Sequence, residues 1–285
     1  MISLAGSVEP EASKTAPVVA DFYARDVDFE LDSARVADWA VDEWRSLFLN
    51  TLSITFPVGE RFFISSVAKY RDRILDPKLR AEVGVFISQE ALHTREHIEY
   101  NEALSTIVDV APLERELAAF LAGVKRMFGP RICLAVTCAL EHFTAIMAKD
   151  LLEYAPHLRG AERQYARLWT WHALEECEHK AVSFDVYQAV TAGKKNRLRI
   201  FVMIPTTVIF YGFVGKFAYA LMKGRGHAKS PLAWAKLLWA VFGRDGVMRR
   251  TLPTYLKYYS PKFHPNDIDD RTTREATQRL VEAWT

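Results

Sequence analysis

The chain has 285 residues, half of them hydrophobic and 12% aromatic, which is ample material for one large domain with its own core. The formal net charge is +2 and the basic residues are dispersed, which argues against a nucleic-acid-binding protein. The three cysteines, Cys133, Cys138 and Cys177, show no CxxC spacing, which argues against a disulfide framework or a zinc ribbon and favours a reducing, cytoplasmic location.

The N-terminal part of the chain leads into helical patterning. Residues 1–24 lack a basic segment followed by an apolar one, so no signal peptide is expected, and we interpret them as a disordered leader. VDFELD (27–32) suggests a short extended segment. Apolar spacing then predicts a helix over 34–53. Pro57 is expected to begin a new helix, helix A (59–74), because proline is tolerated in a first helical turn.

Four further helices follow in the same pattern. Helix B (76–105) begins after a plausible aspartate N-cap with proline at its first position. An amphipathic helix (111–129) ends at a glycine, and helix C (130–154) starts at a proline. Helix D is predicted over 161–190. No run of alternating strand residues occurs, so we predict an all-α fold of the four-helix-bundle type with additional N- and C-terminal helices.

The predicted domain extends beyond this core. The core bundle covers about 57–191 within a helical domain at about 25–260, and 261–285 forms a C-terminal tail. An apolar segment at about 198–223, flanked by basic residues, is borderline for a membrane span. We interpret it as a buried extra helix, with contact between 200–222 and a membrane surface, peripheral to the inner face, as the alternative.

A regular pattern of carboxylates and histidines occurs on helices A to D. Helices B and D each carry a Glu-x-x-His pair, whose members lie one turn apart on the same face. Helices A and C each carry one glutamate among apolar residues, where an unpaired carboxylate would be costly. The six candidate ligands in chain order are Glu60, Glu90, His93, Glu141, Glu176 and His179.

In two antiparallel hairpins, these residues are expected at the same height along the bundle axis. Glu60 lies about 14 residues before the turn near Leu75, and Glu90 lies about as far after it, roughly 21 Å of helix rise on each side. Glu141 and Glu176 are spaced equally about the turn at 155–160. Two hairpins that each present Glu and then Glu-x-x-His therefore place four carboxylates and two imidazoles at one level of a bundle, as in dinuclear carboxylate proteins.

For several neighbouring residues, spacing alone allows two roles. His172 shares a face with Glu176 and His179 and is either a seventh ligand or a hydrogen-bond donor to one. His97 has the mirrored relation to His93, and His142 is either in the core or a hydrogen-bond partner behind a ligand. We expect the remaining glutamates nearby to be solvated or to support a ligand; these are Glu96, Glu99, Glu175 and Glu178.

The composition of the ligand set indicates the kind of metal. Four carboxylates with only two imidazoles form a hard, oxygen-rich set that suits two iron ions, or manganese, or a mixed pair, and disfavours structural zinc. No HExxH motif of zinc proteases and no GxSxG motif of serine hydrolases is present.

These motifs resemble the ferritin-like diiron-carboxylate superfamily. More closely, the segments VDFELD, FPVGERFFISSVAKYRDRI, QEALHTREHIEYN, LEHFTA and WHALEECEHKAVSFDVY resemble the bacterial family described as predicted metal-dependent hydrolase, over about 25–260. The resemblance implies that the six candidate ligands hold metal. The spacing of His172, Glu176 and His179 is also similar to that of diiron arylamine N-oxygenases, in which a third histidine joins the set.

Three functions are consistent with this pattern. The leading hypothesis is a diiron oxidase or oxygenase that uses O2 and an electron donor to oxidise an apolar or aromatic small molecule, in a pocket walled by Phe56, Phe86, Phe143 and Trp171. The alternatives are a two-metal hydrolase and a non-catalytic metal-binding bundle. A homodimer is compatible with the sequence, which identifies neither substrate nor oligomeric state.

Overall fold

The structure is a computed structural model that describes residues 18–191 and 196–284. Helices dominate these ranges, and neither range contains a β-strand, so the all-α prediction is confirmed. Residues 1–17, most of the predicted leader, lie outside the described residues. The helices are α1 (Glu43–Ala68), α2 (Pro77–Leu104), α3 (Ala111–Met127), α4 (Pro130–Glu153), α5 (Arg163–His179), α6 (Val182–Thr191), α7 (Asn196–Gly224), α8 (Pro231–Phe242), α9 (Val247–Lys257) and α10 (Arg271–Glu282).

Two helical hairpins form the centre of the bundle. α1 packs along α2, and α4 packs along α5 and α6. Hydrogen bonds show the antiparallel register of the first hairpin, because Ser53 on α1 bonds Asn101 on α2 while Glu60, further along α1, bonds the earlier residue Thr94. Helices A to D of the sequence analysis are therefore assembled as predicted, with α7, α8 and α9 packed on the outside of α1 and α4.

The predicted break at Pro57 is wrong, because α1 continues through this residue from Glu43 to Ala68. Proline has no backbone N–H, so the carbonyl of Ser53, four residues earlier, loses its helical partner. Asn101 replaces it, since its side-chain Nδ2 donates to the Ser53 carbonyl at 3.2 Å. A side chain from the neighbouring helix thus makes an interior proline acceptable.

The first helix also begins later than its apolar spacing predicted. It starts at Glu43, where the Asp42 carboxylate accepts from the backbone N–H groups of Trp44 and Arg45 at 3.0 and 2.9 Å. The preceding residues from 34 on form a 3₁₀ turn at Ser33–Arg35 and an irregular segment. An aspartate N-cap at this position sets the boundary.

Helix D is two helices rather than one. The break comes at Lys180 and the next residue, between α5 and α6. The buried Lys180 ammonium donates to the Ile268 carbonyl at 2.7 Å and pairs with Asp270. The interruption therefore coincides with the attachment of the C-terminal segment, whose α10 packs against α5.

The apolar segment after α6 forms α7, which the sequence predicted as a buried helix. By length and composition both α4 and α7 could span a membrane, but 72% of the most apolar window of α4 is buried, against 28% for α7. α7 packs on α4 and α1 along one side. Its other side exposes Phe201, Ile204 and Val208, so burial applies to one face only.

Candidate metal centre

The four central helices bring the six predicted ligands together inside the bundle. α1 and α4 each contribute one glutamate, and α2 and α5 each contribute a Glu-x-x-His pair, as the register of the hairpins predicted. All six side chains are almost completely removed from solvent; they are Glu60, Glu90, His93, Glu141, Glu176 and His179.

One half of this cluster surrounds the His179 imidazole. Its Nε2 lies 3.3 Å from Glu90 Oε1, 3.5 Å from Glu176 Oε2 and 3.6 Å from Glu141 Oε2. Glu90, Glu141 and His179 each offer a ligand atom within 4.8 Å of the other two. This half can hold one metal ion between three helices.

The other half contains His172 as well as the predicted ligands. His172 Nε2 lies 3.0 Å from Glu176 Oε1 and 3.9 Å from Glu60 Oε1. His93 Nδ1 is 3.8 Å from the same Glu176 oxygen, and the His93 and His172 rings stack 4.1 Å apart. Glu176 therefore directs one oxygen to each half, and His172 faces the carboxylates as a ligand would.

The cluster leaves an unusual number of buried polar atoms without hydrogen bonds. Within the part of the chain that the structure describes, both oxygens of Glu90 and of Glu141 have no hydrogen-bond partner. The same holds for one oxygen each of Glu60 and Glu176, for His93 Nδ1 and for His179 Nε2. Unpaired buried polar atoms are costly, and these eight oxygen and nitrogen atoms belong to one cluster of possible metal ligands. This donor set fits divalent metal ions.

The pKa values of the carboxylates indicate that the cluster lacks compensating positive charge. Burial raises the pKa of Glu60 and of Glu90 well above the usual range, and their carboxylate neighbours raise it further. Burial also raises the pKa of Glu141, to about 8. Burial opposes ionisation of Glu176 too, but the charge of His179 and a hydrogen bond from His172 hold its pKa well below the usual value. Three of the four carboxylates therefore favour protonation without a metal.

The imidazoles are oriented by residues on the far side from the cluster. His93 Nε2 lies 3.1 Å from Glu175 Oε2, and His179 Nδ1 lies 3.0 Å from the Gln89 side-chain oxygen. Each of these acceptors takes the N–H of its ring, a tautomer inferred from the hydrogen-bond pattern. The lone pair of the other ring nitrogen is then directed at the carboxylates.

The sequence predicted that Glu175 is solvated or supports a ligand, and it did not identify Arg25, the partner of Glu175, as a site residue. Glu175 is fully buried and hydrogen-bonded to His93, so the second of these roles applies to it, and Glu96 is buried as well. The Arg25 backbone N–H donates to Glu175 Oε1 at 2.9 Å, and its guanidinium forms two 2.8 Å bonds with Glu178. Burial raises the pKa of Glu175 to about 8, while the Arg25 N–H lowers it. The nearby stretch VDFELD did suggest an ordered segment, although nothing in it indicated this contact.

His97 and His142 have different environments. His97 Nε2 lies 2.7 Å from His172 Nδ1, and its Nδ1 lies 2.9 Å from the Ser53 hydroxyl, so His97 supports His172 from behind. The His142 ring instead packs 4.9 Å from Tyr258 and 5.2 Å from Phe263. His142 therefore occupies a core position among aromatic residues and does not support a ligand, which corrects its alternative assignment.

The predicted aromatic wall is only partly correct. Phe56 borders a small cavity of about 60 Å³ that reaches His172 and Glu176, and Phe56 and Phe143 border a larger one. Phe86 and Trp171 border neither of these cavities. They pack edge-on against the ligand rings, Phe86 on His179 at 4.9 Å and Trp171 on His93 at 4.8 Å.

Comparisons with known proteins identify one related group. The family profile described as "Predicted metal-dependent hydrolase" matches residues 23–269, which includes every helix that contributes to the cluster. Searches of the curated proteins and of the solved structures gave no match.

Proposed function

The chain belongs to the predicted metal-dependent hydrolase family, and from this premise we propose that it is an enzyme whose buried cluster binds two metal ions. The observation that supports this most directly is the set of unpartnered ligand atoms, which fall into two halves. Glu141 and His179 would bind one ion. Glu60, His93 and His172 would bind the other. The centrally placed carboxylates of Glu90 and Glu176 would serve both.

The proposal includes a ferritin-like diiron-carboxylate architecture. Its support is the order of ligands, Glu, Glu-x-x-His, Glu, Glu-x-x-His, on two antiparallel hairpins. The oxygen-rich ligand set favours iron or manganese over zinc. A bound pair of such ions would supply Lewis-acid activation of water and, if redox-active, electrons for the reduction of O2.

Hydrolysis is the first candidate reaction, because the family description names it. The Glu60 carboxylate is oriented for the role of a metal ligand. Its Oε2 accepts from the Thr94 hydroxyl at 3.0 Å, and its Oε1, which has no hydrogen-bond partner among the described residues, would face an ion.

Oxidation with O2 is the second candidate reaction, and the surroundings of the cluster favour it. The cavity that reaches His172 and Glu176 is otherwise lined mainly by apolar side chains, among them Phe48, Leu52 and Met147. An apolar wall of this kind admits O2 and an apolar substrate more readily than a polar ester or phosphate.

One experiment separates the two reactions. The purified protein is loaded with Fe²⁺, Mn²⁺ or Zn²⁺, and two activities are measured: O2 consumption, and hydrolysis of a p-nitrophenyl ester under nitrogen. Hydrolysis with Zn²⁺ and without O2 would establish the first reaction. O2 consumption that requires Fe²⁺ or Mn²⁺, with no anaerobic hydrolysis, would establish the second. In both cases Glu176→Ala should remove the activity, and neither activity with any metal would contradict an enzymatic role.

The role of His172 can be tested within the same system. Loss of a ligand opens a coordination position, whereas loss of a hydrogen-bond partner typically costs about 10–100-fold in metal affinity or activity. We expect His172→Ala to change the absorption spectrum of the iron-loaded protein, with little rescue in His172→Gln, which can still donate a hydrogen bond. An unchanged spectrum and two bound ions in both variants would exclude His172 from the ligand set.

A further inference from the structure

A long apolar groove lies beside the metal cluster, between α1, α3, α4 and α7. Its volume is about 310 Å³, within the range of small-molecule sites. Among the described residues that line it, none is charged, and the polar side-chain groups are threonine hydroxyls. On α7 the lining runs from Leu198 to Phe213, about 22 Å of helix rise. Its shape and chemistry therefore suit a long, narrow, apolar molecule.

The inner end of the groove adjoins the ligand cluster. Phe56 and Thr144 border both this groove and the small cavity that reaches His172 and Glu176. The Phe56 ring centroid lies 4.7 Å from that of His172. A molecule that fills the groove is thus separated from the ligands by about one layer of side chains.

Gly59 leaves part of this groove open. It lines the groove and directly precedes the predicted ligand Glu60. A Cβ added at this position would meet no atom within 4 Å. Glycine in a helix interior lowers helix stability, and here its effect is to leave space for a ligand.

The outer end of the groove is exposed, and two of its lining residues are next to arginines in the sequence. Phe201, which lines this end, is 75% exposed, and the lining residues Ile132 and Leu198 each directly follow an exposed arginine, Arg131 and Arg197. The sequence contains no acidic residue between positions 117 and 140 or between 197 and 222. Neither of these two segments therefore places a carboxylate beside an anionic group at this end.

We propose that the groove binds the hydrocarbon chain of an anionic long-chain amphiphile, with its head group near Arg131 and Arg197 and its chain extending towards Phe56. The assignment of this molecule as the substrate rests on the proposed function, whereas its binding does not. The head group stays outside because the groove offers it no polar partner, and the chain provides the binding energy through burial of its methylenes.

The test is a calorimetric titration of the metal-loaded full chain with octanoate and dodecanoate below their micelle-forming concentrations. Burial of one methylene strengthens binding by up to about fourfold, so dodecanoate should bind up to about 200-fold more tightly than octanoate. Equal affinities for the two carboxylates would overturn the proposal.

Two glycine variants provide a matched comparison. Gly59→Leu fills the groove and should weaken dodecanoate binding at least tenfold. Gly84→Leu, also in a helix interior and also with no atom within 4 Å of the added Cβ, lies on α2 outside the groove and should bind as the wild type does. Wild-type binding by a folded Gly59→Leu variant would refute the site. If that variant does not fold, Phe201→Glu at the exposed end provides the test, and undiminished dodecanoate binding would again refute it.

The head-group assignment and the source of the chain have their own controls. Arg197→Glu should weaken dodecanoate binding and leave dodecan-1-ol binding unchanged; equal effects on both ligands would refute the orientation. Co-sedimentation with phosphatidylglycerol vesicles would identify a membrane leaflet as the source, whereas chain binding without co-sedimentation would identify free carboxylates in solution. Metal content is measured separately, so absent chain binding in a protein that retains two ions refutes the groove assignment alone.

Discussion

The hydrogen bond between Glu175 and His93 provides a sharp test of the proposed centre. Glu175 Oε2 accepts from His93 Nε2 at 3.1 Å, and Oε1 accepts from the backbone N–H of Arg25 at 2.9 Å. Both oxygens therefore face donors. In Glu175→Gln one of them becomes an NH₂ group, which can pair with His93 Nε2 only if the ring moves its proton to Nδ1. Nδ1 is the atom directed at the cluster, so this tautomer blocks the ligand.

The size of the effect follows from this geometry. The centre keeps all of its candidate ligands, since His93 remains in place. The ion can bind His93 only after the ring proton leaves Nδ1, and this lowers its affinity. Changes in such supporting residues typically cost about 10–100-fold in metal affinity, or about 1.4–2.7 kcal/mol. We expect Glu175→Gln to weaken the binding of one of the two ions by this factor and to leave the other ion less affected.

The assay is a competitive titration of Mn²⁺ against a chelator, under anaerobic conditions at pH 8.5. This pH is above the value of about 8 to which burial raises the pKa of Glu175, so the carboxylate form of the wild-type residue predominates. Glu102→Gln, at an exposed glutamate on α2, is the control and should bind as the wild type does. Wild-type affinity for both ions in Glu175→Gln would contradict the proposed role of Glu175 in fixing the His93 tautomer.

Three further outcomes are expected. Elemental analysis should find two metal ions per wild-type chain and at least one fewer in Glu176→Ala, with no change in Glu102→Ala; full occupancy in Glu176→Ala would contradict the ligand assignment. Burial raises the pKa of Glu141 to about 8, so the metal-free folded protein holds a proton that the unfolded chain releases above about pH 4.5. The thermal midpoint of the metal-free protein should therefore fall between pH 5 and 8, and that of the metal-loaded protein should not follow it; parallel profiles would contradict this linkage. Asn101→Leu should lower the free energy of unfolding by about 1–3 kcal/mol, because it leaves the Ser53 carbonyl unpaired, and unchanged denaturant unfolding would argue against this compensation for the interior proline.

The fold class and the location of the candidate site were predictable because helical geometry is local. A Glu-x-x-His pair lies on one helix face whatever surrounds it, and the rise per residue sets the height of each pair above its turn. Glu60 and Glu90 on one hairpin, and Glu141 and Glu176 on the other, could therefore be matched in height by counting residues.

The boundaries of the helices were less predictable because they depend on particular contacts. By itself, Pro57 predicted the start of a helix. Only the hydrogen bond from the Asn101 side chain on the neighbouring helix explains why α1 continues through it. The division of helix D at Lys180 likewise coincides with partners in the C-terminal segment. Local propensity did not reveal either interaction.

What the sequence alone determined is the set of candidate ligands that two hairpins can bring to one level, since that requires only periodicity and length. The tertiary structure decided which atoms face one another. Glu175 and Arg25 are 150 positions apart in the chain, and His172 and His97 meet across two helices at 2.7 Å. The groove beside Gly59 belongs to four helices at once. Such features arise from the packing of side chains between distant segments, and helical spacing contains no information about that packing.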